Sequence, residues 1–253
     1  MNYNQIAETL DTAALDAKPV TQISEKQDFA LNAAYAIQSI SLMRRYLRGE
    51  QRVGLKLGFT SKAKMEQMGV HDMIWGRLTD EMYYSDGDEL QKSNYIHPRA
   101  EPEIAFFISK KIDTKITLAN ARDYVEAIAV AIEIIDSRYQ NFKFSLEDVV
   151  ADNCSSAAFV CGKKYPPDTK IQDIAMSLKV NGAAVQTGNS NAILGNPWES
   201  FVNAARLAKE NGEILAEGDV ILAGAATSAI YIEAGQRVSA QAEGLGEVSL
   251  QVV

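Results

Sequence analysis

The sequence predicts an α+β fold, in which a mixed, curled β-sheet or β-roll carries helices on its outside and a small helical cap at its N-terminus. Two observations lead to this prediction. The first fifty residues lack strand patterns, whereas short apolar strands joined by Gly turns predominate from about residue 101 onward. A chain of 253 residues can bury a sizeable core, and we favour a small domain packed on a larger one. The boundary is expected near residues 70–95.

The sequence pattern of the N-terminal part predicts helices. Ser24 and Gln27 have the spacing of a capping box. The apolar residues that follow lie on one helical face, and Gly49 ends that helix. These apolar residues are Phe29, Ala33, Ile37, Ile40 and Leu47. Residues 53–59 then predict a strand, and residues 61–68 predict a short helix.

The C-terminal part contains a hairpin, a helix and a series of short strands. Asn181 and Gly182 predict the tight turn of a hairpin, and Asn196 with Pro197 predicts the start of a helix that Gly212 closes. Four short strands separated by Gly turns are expected after this helix. They span residues 220–223, 228–232, 237–242 and 248–253.

The composition narrows the class of protein. Hydrophobic residues make up 47% of the chain, but no apolar stretch is long enough to cross a bilayer and the N-terminus lacks a targeting pattern. Lys and Arg total 25 against 33 Asp and Glu, a net charge of −8 that argues against nucleic acid or an anionic membrane as partner. We therefore expect a cytoplasmic protein, with Cys154 and Cys161 as reduced, packed thiols.

Glu133 is the most informative residue of the sequence. It interrupts the apolar run 127–135, which otherwise predicts a fully buried strand, so its carboxylate needs a charged partner or a metal ion. Glu101 and Glu103 precede a second apolar run, and their spacing of two places both carboxylates on one face of a strand. Three converging carboxylates predict a site for Mg²⁺, with Mn²⁺ as the alternative ion, since zinc prefers His and Cys ligands.

Each of these acidic residues also has a purely structural interpretation. Glu101 and Glu103 could lie at a solvated edge of a sheet. Glu133 could form a buried ion pair with Arg99 or Arg138.

Lys56 is a single charge in another apolar strand. Gly54 and Gly58 flank it and let backbone or a ligand come close. Lys56 could hold a substrate carboxylate or move a proton, and the alternative is an ammonium group that snorkels from an edge strand.

Other polar groups give weaker signals. Residues 152–156 supply hydroxyl and amide groups that could orient a substrate or cap turns, and the second interpretation is favoured. The Gly-rich segment 224–227 could offer backbone N–H groups or the Thr227 hydroxyl to a carboxylate. His71 and His97 lack the spacing of a catalytic triad or a zinc site, so structural roles are favoured over catalysis and we assign no function to either residue.

Five segments occur in an order that is specific to one family: residues 54–61, 68–70, 97–106, 133–138 and 151–153. With these segments the chain resembles, over nearly its whole length, the 2-keto-4-pentenoate hydratase and 4-oxalocrotonate decarboxylase family of meta-cleavage pathways. That family is a branch of the fumarylacetoacetate hydrolase superfamily. The resemblance implies a fumarylacetoacetate hydrolase-like fold, Mg²⁺ held by Glu101, Glu103 and Glu133, and Lys56 beside the substrate.

One position distinguishes the two branches of this family. Hydratases carry an Asp that serves water addition, where this chain has Ile74. Residues 74–79 and 64–68 resemble the decarboxylases instead, and loss of CO₂ is helped by an apolar, water-poor pocket. We expect residues 1–80 to form the helical cap, a lid and the first substrate strand, and residues 81–253 to form the β-roll catalytic domain.

The resemblance therefore implies a carbon–carbon lyase that decarboxylates 2-oxohex-3-enedioate to 2-hydroxypenta-2,4-dienoate in aromatic degradation. Lys56 and Ser155 are the expected catalytic residues, and Ile74, Trp75 and Thr227 the expected substrate contacts. The alternatives are a 2-hydroxypenta-2,4-dienoate hydratase, an acylpyruvate hydrolase and, with less support, a non-catalytic partner subunit. We also expect a homo-oligomer, and the resemblance implies association with a partner hydratase.

Overall fold

The computed structural model describes residues 1–61, 65–66 and 72–253, and the elements there include four α-helices with full bounds, six short 3₁₀-helices and two β-sheets. These α-helices are α1 (Tyr3–Leu15), α2 (Leu31–Leu47), α3 (Leu146–Ala151) and α4 (Pro197–Glu210). Most of the helix predicted over residues 61–68 lies outside the described residues, as does His71.

The strands are numbered in chain order. They are β1 (Arg52–Gly58), β2 (Ile74–Thr79), β3 (Tyr83–Tyr84), β4 (Glu89–Leu90), β5 (Arg99–Ile108), β6 (Val125–Ile135), β7 (Ser156–Cys161), β8 (Ala175–Val180), β9 (Ala183–Asn189), β10 (Val220–Ala225), β11 (Ile230–Tyr231), β12 (Arg237–Ala242) and β13 (Gly246–Val252).

The larger sheet has eight strands in the order β2-β1-β10-β5-β6-β7-β3, with β11 on β5. Strands β1 and β10 run parallel, as do β3 and β7, and the other pairs in this sheet are antiparallel. The second sheet has the order β4-β13-β12-β8-β9. The predicted α+β fold with a curled mixed sheet is therefore confirmed.

The two faces of the larger sheet pack differently. One face carries large side chains that pack against α4 and the smaller sheet, with the Phe106 ring 4.8 Å from that of Trp198 and 5.0 Å from that of Phe201. On the other face, the middle of β5 and β6 carries small residues, Ala105, Ala129 and Ala131. Because side chains alternate along a strand, the odd-numbered positions of β5 and β6 share this second face. Small neighbours leave room there for polar groups.

Helices α1, α2 and α3 form the helical cap, which has its own apolar cluster. Asp11 of α1 is buried and accepts hydrogen bonds from Arg44 on α2 at 3.0 Å and from Arg48, the residue directly after α2, at 2.7 Å. Charge and apolar packing together tie the first two helices to each other. No helix in the described residues combines the length and apolarity needed to span a bilayer.

The predicted capping box at Ser24 is wrong. Helix α2 begins at Leu31, and the Ser24 hydroxyl instead donates to the Asp148 carboxylate at 2.5 Å. Asp148 also completes a capping box with Ser145 at the start of α3. A partner 124 residues away competes for the hydroxyl, and local spacing does not reveal such a contact.

The turn predictions in the second half are confirmed. Asn181 and Gly182 have φ values of 50° and 82° and join β8 to β9. The Asn196 side chain caps α4 by accepting a hydrogen bond from the Trp198 backbone N–H, and Pro197 lies in the first turn. Gly212 follows the helix with a φ of 71°.

Residues 74–79, which lie in the region 1–80 where we expected a lid, form the edge strand β2. Their backbone pairs with β1, with Ile74 opposite Gly58 and Trp75 opposite Leu57. All six residues of β2 are buried. The predicted division of the chain at residue 80 stays a prediction, although β1 and β2 belong to the same sheet as β5 and β6.

Candidate metal centre

Three glutamates converge on the small-residue face of the larger sheet. Glu101 of β5 lies directly opposite Glu133 of β6, and Glu103 follows two residues later on β5. One oxygen of each carboxylate lies within 4.8 Å of the others. Strand β5 lies between β10 and β6, so the interpretation of a solvated sheet edge is wrong.

The carboxylates are buried and only partly satisfied. Glu103 and Glu133 are 0% exposed and Glu101 is 8% exposed. Glu103 Oε2 accepts a hydrogen bond from the Gly224 backbone N–H at 2.7 Å. Among the described residues, Oε1 of Glu103 and Oε1 of Glu133 have no hydrogen-bond partner. Buried oxygens without partners are costly, and a divalent cation with oxygen ligands would satisfy them.

Burial and mutual repulsion raise the pKa values of two carboxyl groups in this cluster. Burial raises the pKa of Glu133 to about 7, although the Lys56 ammonium opposes the shift. Burial and the charge of Glu133 raise the pKa of Glu103 well above its ordinary value. A bound cation would lower these pKa values, because it stabilises the ionised form of each carboxylate.

Lys56 reaches the cluster from β1. Its ammonium lies 3.0 Å from Glu133 Oε2 and donates to the Cys154 carbonyl at 3.1 Å. The side chain is buried, so the snorkelling interpretation is wrong. Burial alone would lower the pKa of Lys56. The neighbouring carboxylates, chiefly that of Glu133, have the opposite effect and together outweigh burial, so the net shift is upward. Lys56 is therefore a charged group inside the cluster.

The ion pair that we considered for Glu133 has a different partner from those expected. Glu133 pairs with Lys56, whereas Arg138 pairs with Asp152. The Arg99 guanidinium lies between two aromatic rings, 3.8 Å from the centroid of Phe142. Neither arginine could be excluded from sequence, because contacts across the sheet depend on the register of strands far apart in the chain.

The sequence singled out the side chains of residues 152–156, but not the Cys154 backbone carbonyl that their turn carries. Three successive residues, Asn153, Cys154 and Ser155, have φ values of 50°, 53° and 58°. Left-handed backbone costs an L-residue about 1–2 kcal/mol, so other contacts must hold this turn. The Asn153 side chain bonds to the Arg77 backbone on β2. Asn, which tolerates this conformation better than most residues, is the one sequence signal for it.

Ser155 and Thr227 lie on segments that adjoin the cluster. Ser155 is 3% exposed, and its hydroxyl has no hydrogen-bond partner among the described residues. Thr227 follows β10, where the Ala226 N–H donates to the carbonyl of Pro102, the residue between the two glutamates of β5. The catalytic role of Ser155 and the substrate contact of Thr227 stay predictions.

Ile74 and Trp75 point to opposite faces of the sheet. Ile74 lies opposite Gly58, on the face of Lys56, and packs into the cluster of the helical cap. Trp75 points to the other face, where it stacks on Tyr35 with ring centroids 5.2 Å apart. The structure therefore brings Ile74, but not Trp75, to the face that carries Lys56, and substrate contact by either residue stays a prediction.

A close backbone approach supports the Glu103 contact. Gly224 has a φ of 109°, and a Cβ added there would lie 2.1 Å from Thr60 Oγ1. Only glycine lets the β10 backbone lie against Thr60 and direct its N–H to Glu103. His97, as predicted, has a structural contact, with Nε2 2.7 Å from the Ser137 carbonyl oxygen.

Comparison with known proteins identifies the family. The family model described as fumarylacetoacetate (FAA) hydrolase C-terminal matches residues 60–253. This chain belongs to the fumarylacetoacetate hydrolase family. A 4-oxalocrotonate decarboxylase of Pseudomonas sp. is 46% identical over 249 residues, which cover 98% of this chain and 97% of that protein. The family predicted from the sequence is thereby confirmed.

Other members of the fumarylacetoacetate hydrolase family match over nearly the same length. A structure of 4-oxalocrotonate decarboxylase from Pseudomonas putida G7, complexed with magnesium and adipate, has a TM-score of 0.94 and 32% identity, covering 99% of this chain and 97% of that one. A 2-keto-4-pentenoate hydratase of Dechloromonas aromatica is 32% identical over 96% of this chain and 94% of that protein. Both branches that the sequence suggested are therefore represented among its relatives.

Proposed function

We propose that this protein catalyses the metal-dependent decarboxylation of 2-oxohex-3-enedioate to CO₂ and 2-hydroxypenta-2,4-dienoate. The observation that carries this proposal is the buried cluster of Glu101, Glu103, Glu133 and Lys56. It lies in a chain that is 46% identical to a 4-oxalocrotonate decarboxylase over 98% of its length. A cluster that costs so much desolvation supports a catalytic protein over a non-catalytic subunit.

The donor set fits Mg²⁺ or Mn²⁺. Glu101, Glu103 and Glu133 would hold the ion through carboxylate oxygens, the ligands that these hard cations prefer. When bound, the ion would act as a Lewis acid toward the 2-oxo oxygen of the substrate. The magnesium in the similar Pseudomonas putida G7 decarboxylase supports this assignment.

The substrate is a vinylogous β-keto acid, so its C6 carboxylate can leave without prior oxidation or reduction. The C5–C6 bond breaks, and its electron pair moves through C4 and C3 to the 2-oxo oxygen. The products are CO₂ and a dienolate, which one proton converts to 2-hydroxypenta-2,4-dienoate.

Lys56 would stabilise the charge that develops on this oxygen. Its ammonium lies 3.0 Å from Glu133 Oε2 and donates one of its three N–H groups to the Cys154 carbonyl. Another N–H would be donated to the developing oxyanion, and Lys56 would then assist protonation of the dienolate. Ile74 would contribute to an apolar wall that keeps water from the departing carboxylate.

Water addition to the dienoate is the second candidate function, because a 2-keto-4-pentenoate hydratase is among the relatives. Ile74 stands at the position where we expect an Asp in hydratases, which favours decarboxylation. An acylpyruvate hydrolase would share the same metal site. The products distinguish the three: CO₂, a hydroxylated acid, or two cleaved acids.

We also propose a location for the enzyme in the cell and its assembly with other subunits. We place it in the cytoplasm as a homo-oligomer that associates with a hydratase, because 2-hydroxypenta-2,4-dienoate is unstable and direct transfer would protect it. Size-exclusion chromatography of the protein, alone and with the hydratase, tests this association.

Removal of the metal tests the proposed function. We expect EDTA to abolish CO₂ release from 2-oxohex-3-enedioate and added Mg²⁺ or Mn²⁺ to restore it, since the buried carboxylates need a cation to act on the substrate. CO₂ and the dienoate are measured together. Full activity in a preparation shown to be metal-free would contradict the proposal.

A further inference from the structure

Asn153 joins the turn after α3 to strand β2 through its side chain. Its Oδ1 accepts a hydrogen bond from the Arg77 backbone N–H at 2.8 Å, and its Nδ2 donates to the Arg77 carbonyl at 2.9 Å. Asn153 is 6% exposed, so both bonds are shielded from water. The side chain supplies one donor and one acceptor to the edge strand β2, as a neighbouring strand would.

The approach of this turn to β2 is close. A Cβ added to Gly76 would lie 2.6 Å from the Asn153 carbonyl oxygen and 3.0 Å from its Oδ1. The next residue, Cys154, donates its thiol to the Trp75 carbonyl at 3.1 Å. The turn and β2 are therefore joined over three successive residues of the strand.

This turn carries the carbonyl that fixes the Lys56 ammonium. Residues Asn153, Cys154 and Ser155 all have positive φ values, a conformation that persists only where surrounding contacts over-determine it. Lys56 Nζ donates to the Cys154 carbonyl at 3.1 Å. The direction of that carbonyl depends on the contacts that hold the turn, and the two Asn153 bonds lie directly beside it.

We propose that Asn153 is a positioning residue for the reaction, which acts through the Cys154 carbonyl on the Lys56 ammonium. By clamping the turn to β2, Asn153 holds the carbonyl that orients the Lys56 ammonium, and with it the N–H that would be donated to the substrate. The inference rests on the proposed function, since it requires Lys56 to act on the substrate. It does not require Asn153 to touch the substrate.

A double-mutant cycle tests this inference on the full-length, Mg²⁺-loaded protein. Glycine accepts a positive φ, so Asn153→Gly removes the clamp without adding backbone strain. We expect it to lower kcat about tenfold while KM for the diacid stays within about twofold, because the ammonium is misdirected but binding is kept. In a Lys56→Met background the same change should have no further effect on kcat.

Further measurements separate positioning from general damage. Mg²⁺ affinity by calorimetry should be unchanged in Asn153→Gly. Asn120→Ala, which also removes two side-chain hydrogen bonds but lies in the loop between β5 and β6, should keep wild-type kcat. If Asn153→Gly fails to fold, Asn153→Asp takes its place, because it keeps the acceptor for the Arg77 N–H and loses the donor.

The outcomes that overturn the inference are distinct. Wild-type kcat in Asn153→Gly would show that the clamp is dispensable. An equal loss of kcat in both backgrounds would show that Asn153 acts independently of Lys56. If Lys56→Met itself keeps wild-type kcat, the proposed role of Lys56 fails instead, and the inference fails with it.

Discussion

At the scale of single residues, buried charge identifies the site. Glu133 could be recognised because it is the one charged residue in the core of an apolar run, and Glu101 with Glu103 because a spacing of two defines one face of a strand. The partners of these groups could not be recognised. Lys56 reaches Glu133 from a strand about eighty residues earlier, and the Cys154 carbonyl has no side-chain signature.

Loss of one carboxylate should weaken metal binding selectively. We expect Glu133→Gln to lower Mg²⁺ affinity at least about tenfold, because a neutral amide replaces a buried carboxylate in the cluster. Isothermal titration with Mg²⁺ measures this. Glu126→Gln is the matched control, since Glu126 lies on the same strand but is exposed. Equal affinities in the two variants would remove Glu133 from the metal site.

A charge at position 74 should suppress decarboxylation. Ile74→Asp places a carboxylate on the sheet face that carries Lys56, where it would attract water and repel the C6 carboxylate of the substrate. We expect CO₂ release to fall at saturating Mg²⁺. Ile74→Val, which keeps an apolar side chain, should retain activity. An active Ile74→Asp variant that folds normally would contradict the proposed apolar wall.

At the scale of elements, most strands and helices could be predicted from their own residues, and the errors have tertiary causes. The hairpin turn at Asn181 and the cap at Asn196 are set by local backbone chemistry. Ser24 does not cap a helix, because its hydroxyl donates a hydrogen bond to Asp148, which is distant in the chain. Residues 74–79, in the region where a lid was expected, belong to the sheet because their backbone pairs with β1.

The close approach of β10 to Thr60 should make Gly224 irreplaceable. Gly49 and Gly224 share a φ of 109°, but a Cβ at Gly49 would meet no atom within 4 Å. Gly49→Ala should therefore cost only backbone strain, about 1–3 kcal/mol, while Gly224→Ala should cost about 1–3 kcal/mol more through overpacking.

Urea unfolding of both variants measures this difference, and Mg²⁺ titration adds a second test. Only Gly224→Ala should weaken Mg²⁺ binding, because only there does the backbone N–H contact a metal-site carboxylate, that of Glu103. Equal stability and equal Mg²⁺ affinity in the two variants would show that the contact with Thr60 is unimportant.

At the scale of the whole molecule, one sheet joins the two regions that the sequence distinguishes. Its residues contribute to three apolar clusters, one of which includes the helical cap. Within the cap, Asp11 joins α1 to α2, because its buried carboxylate pairs with Arg44 on α2 and with Arg48 at the C-terminal end of that helix. Burial raises the pKa of Asp11, but hydrogen bonds from Arg48 and Arg44 outweigh it, and the net shift is downward.

The contribution of Asp11 to stability should disappear in acid. A carboxyl group whose folded pKa is depressed stabilises the protein above its unfolded pKa and loses this effect as the pH falls through its folded pKa. Asp11→Asn should cost about 1.5–3 kcal/mol at pH 7, and the difference from wild type should shrink below about pH 4. Urea unfolding at several pH values measures it.

Asp16→Asn is the control for this prediction, because Asp16 forms an exposed pair with Lys18 and should contribute little at any pH. A cost for Asp11→Asn that stays constant between pH 7 and pH 3 would show that its charge does not hold α1 to α2.

The most direct test of the central claim is a product analysis of the wild-type protein with Mg²⁺. The protein is incubated with 2-oxohex-3-enedioate and, separately, with 2-hydroxypenta-2,4-dienoate, while CO₂ and both acids are measured. A decarboxylase should release one CO₂ for each diacid consumed, form the dienoate, and leave added dienoate unhydrated. Efficient hydration of the dienoate without CO₂ release from the diacid would contradict the claim and establish the hydratase alternative.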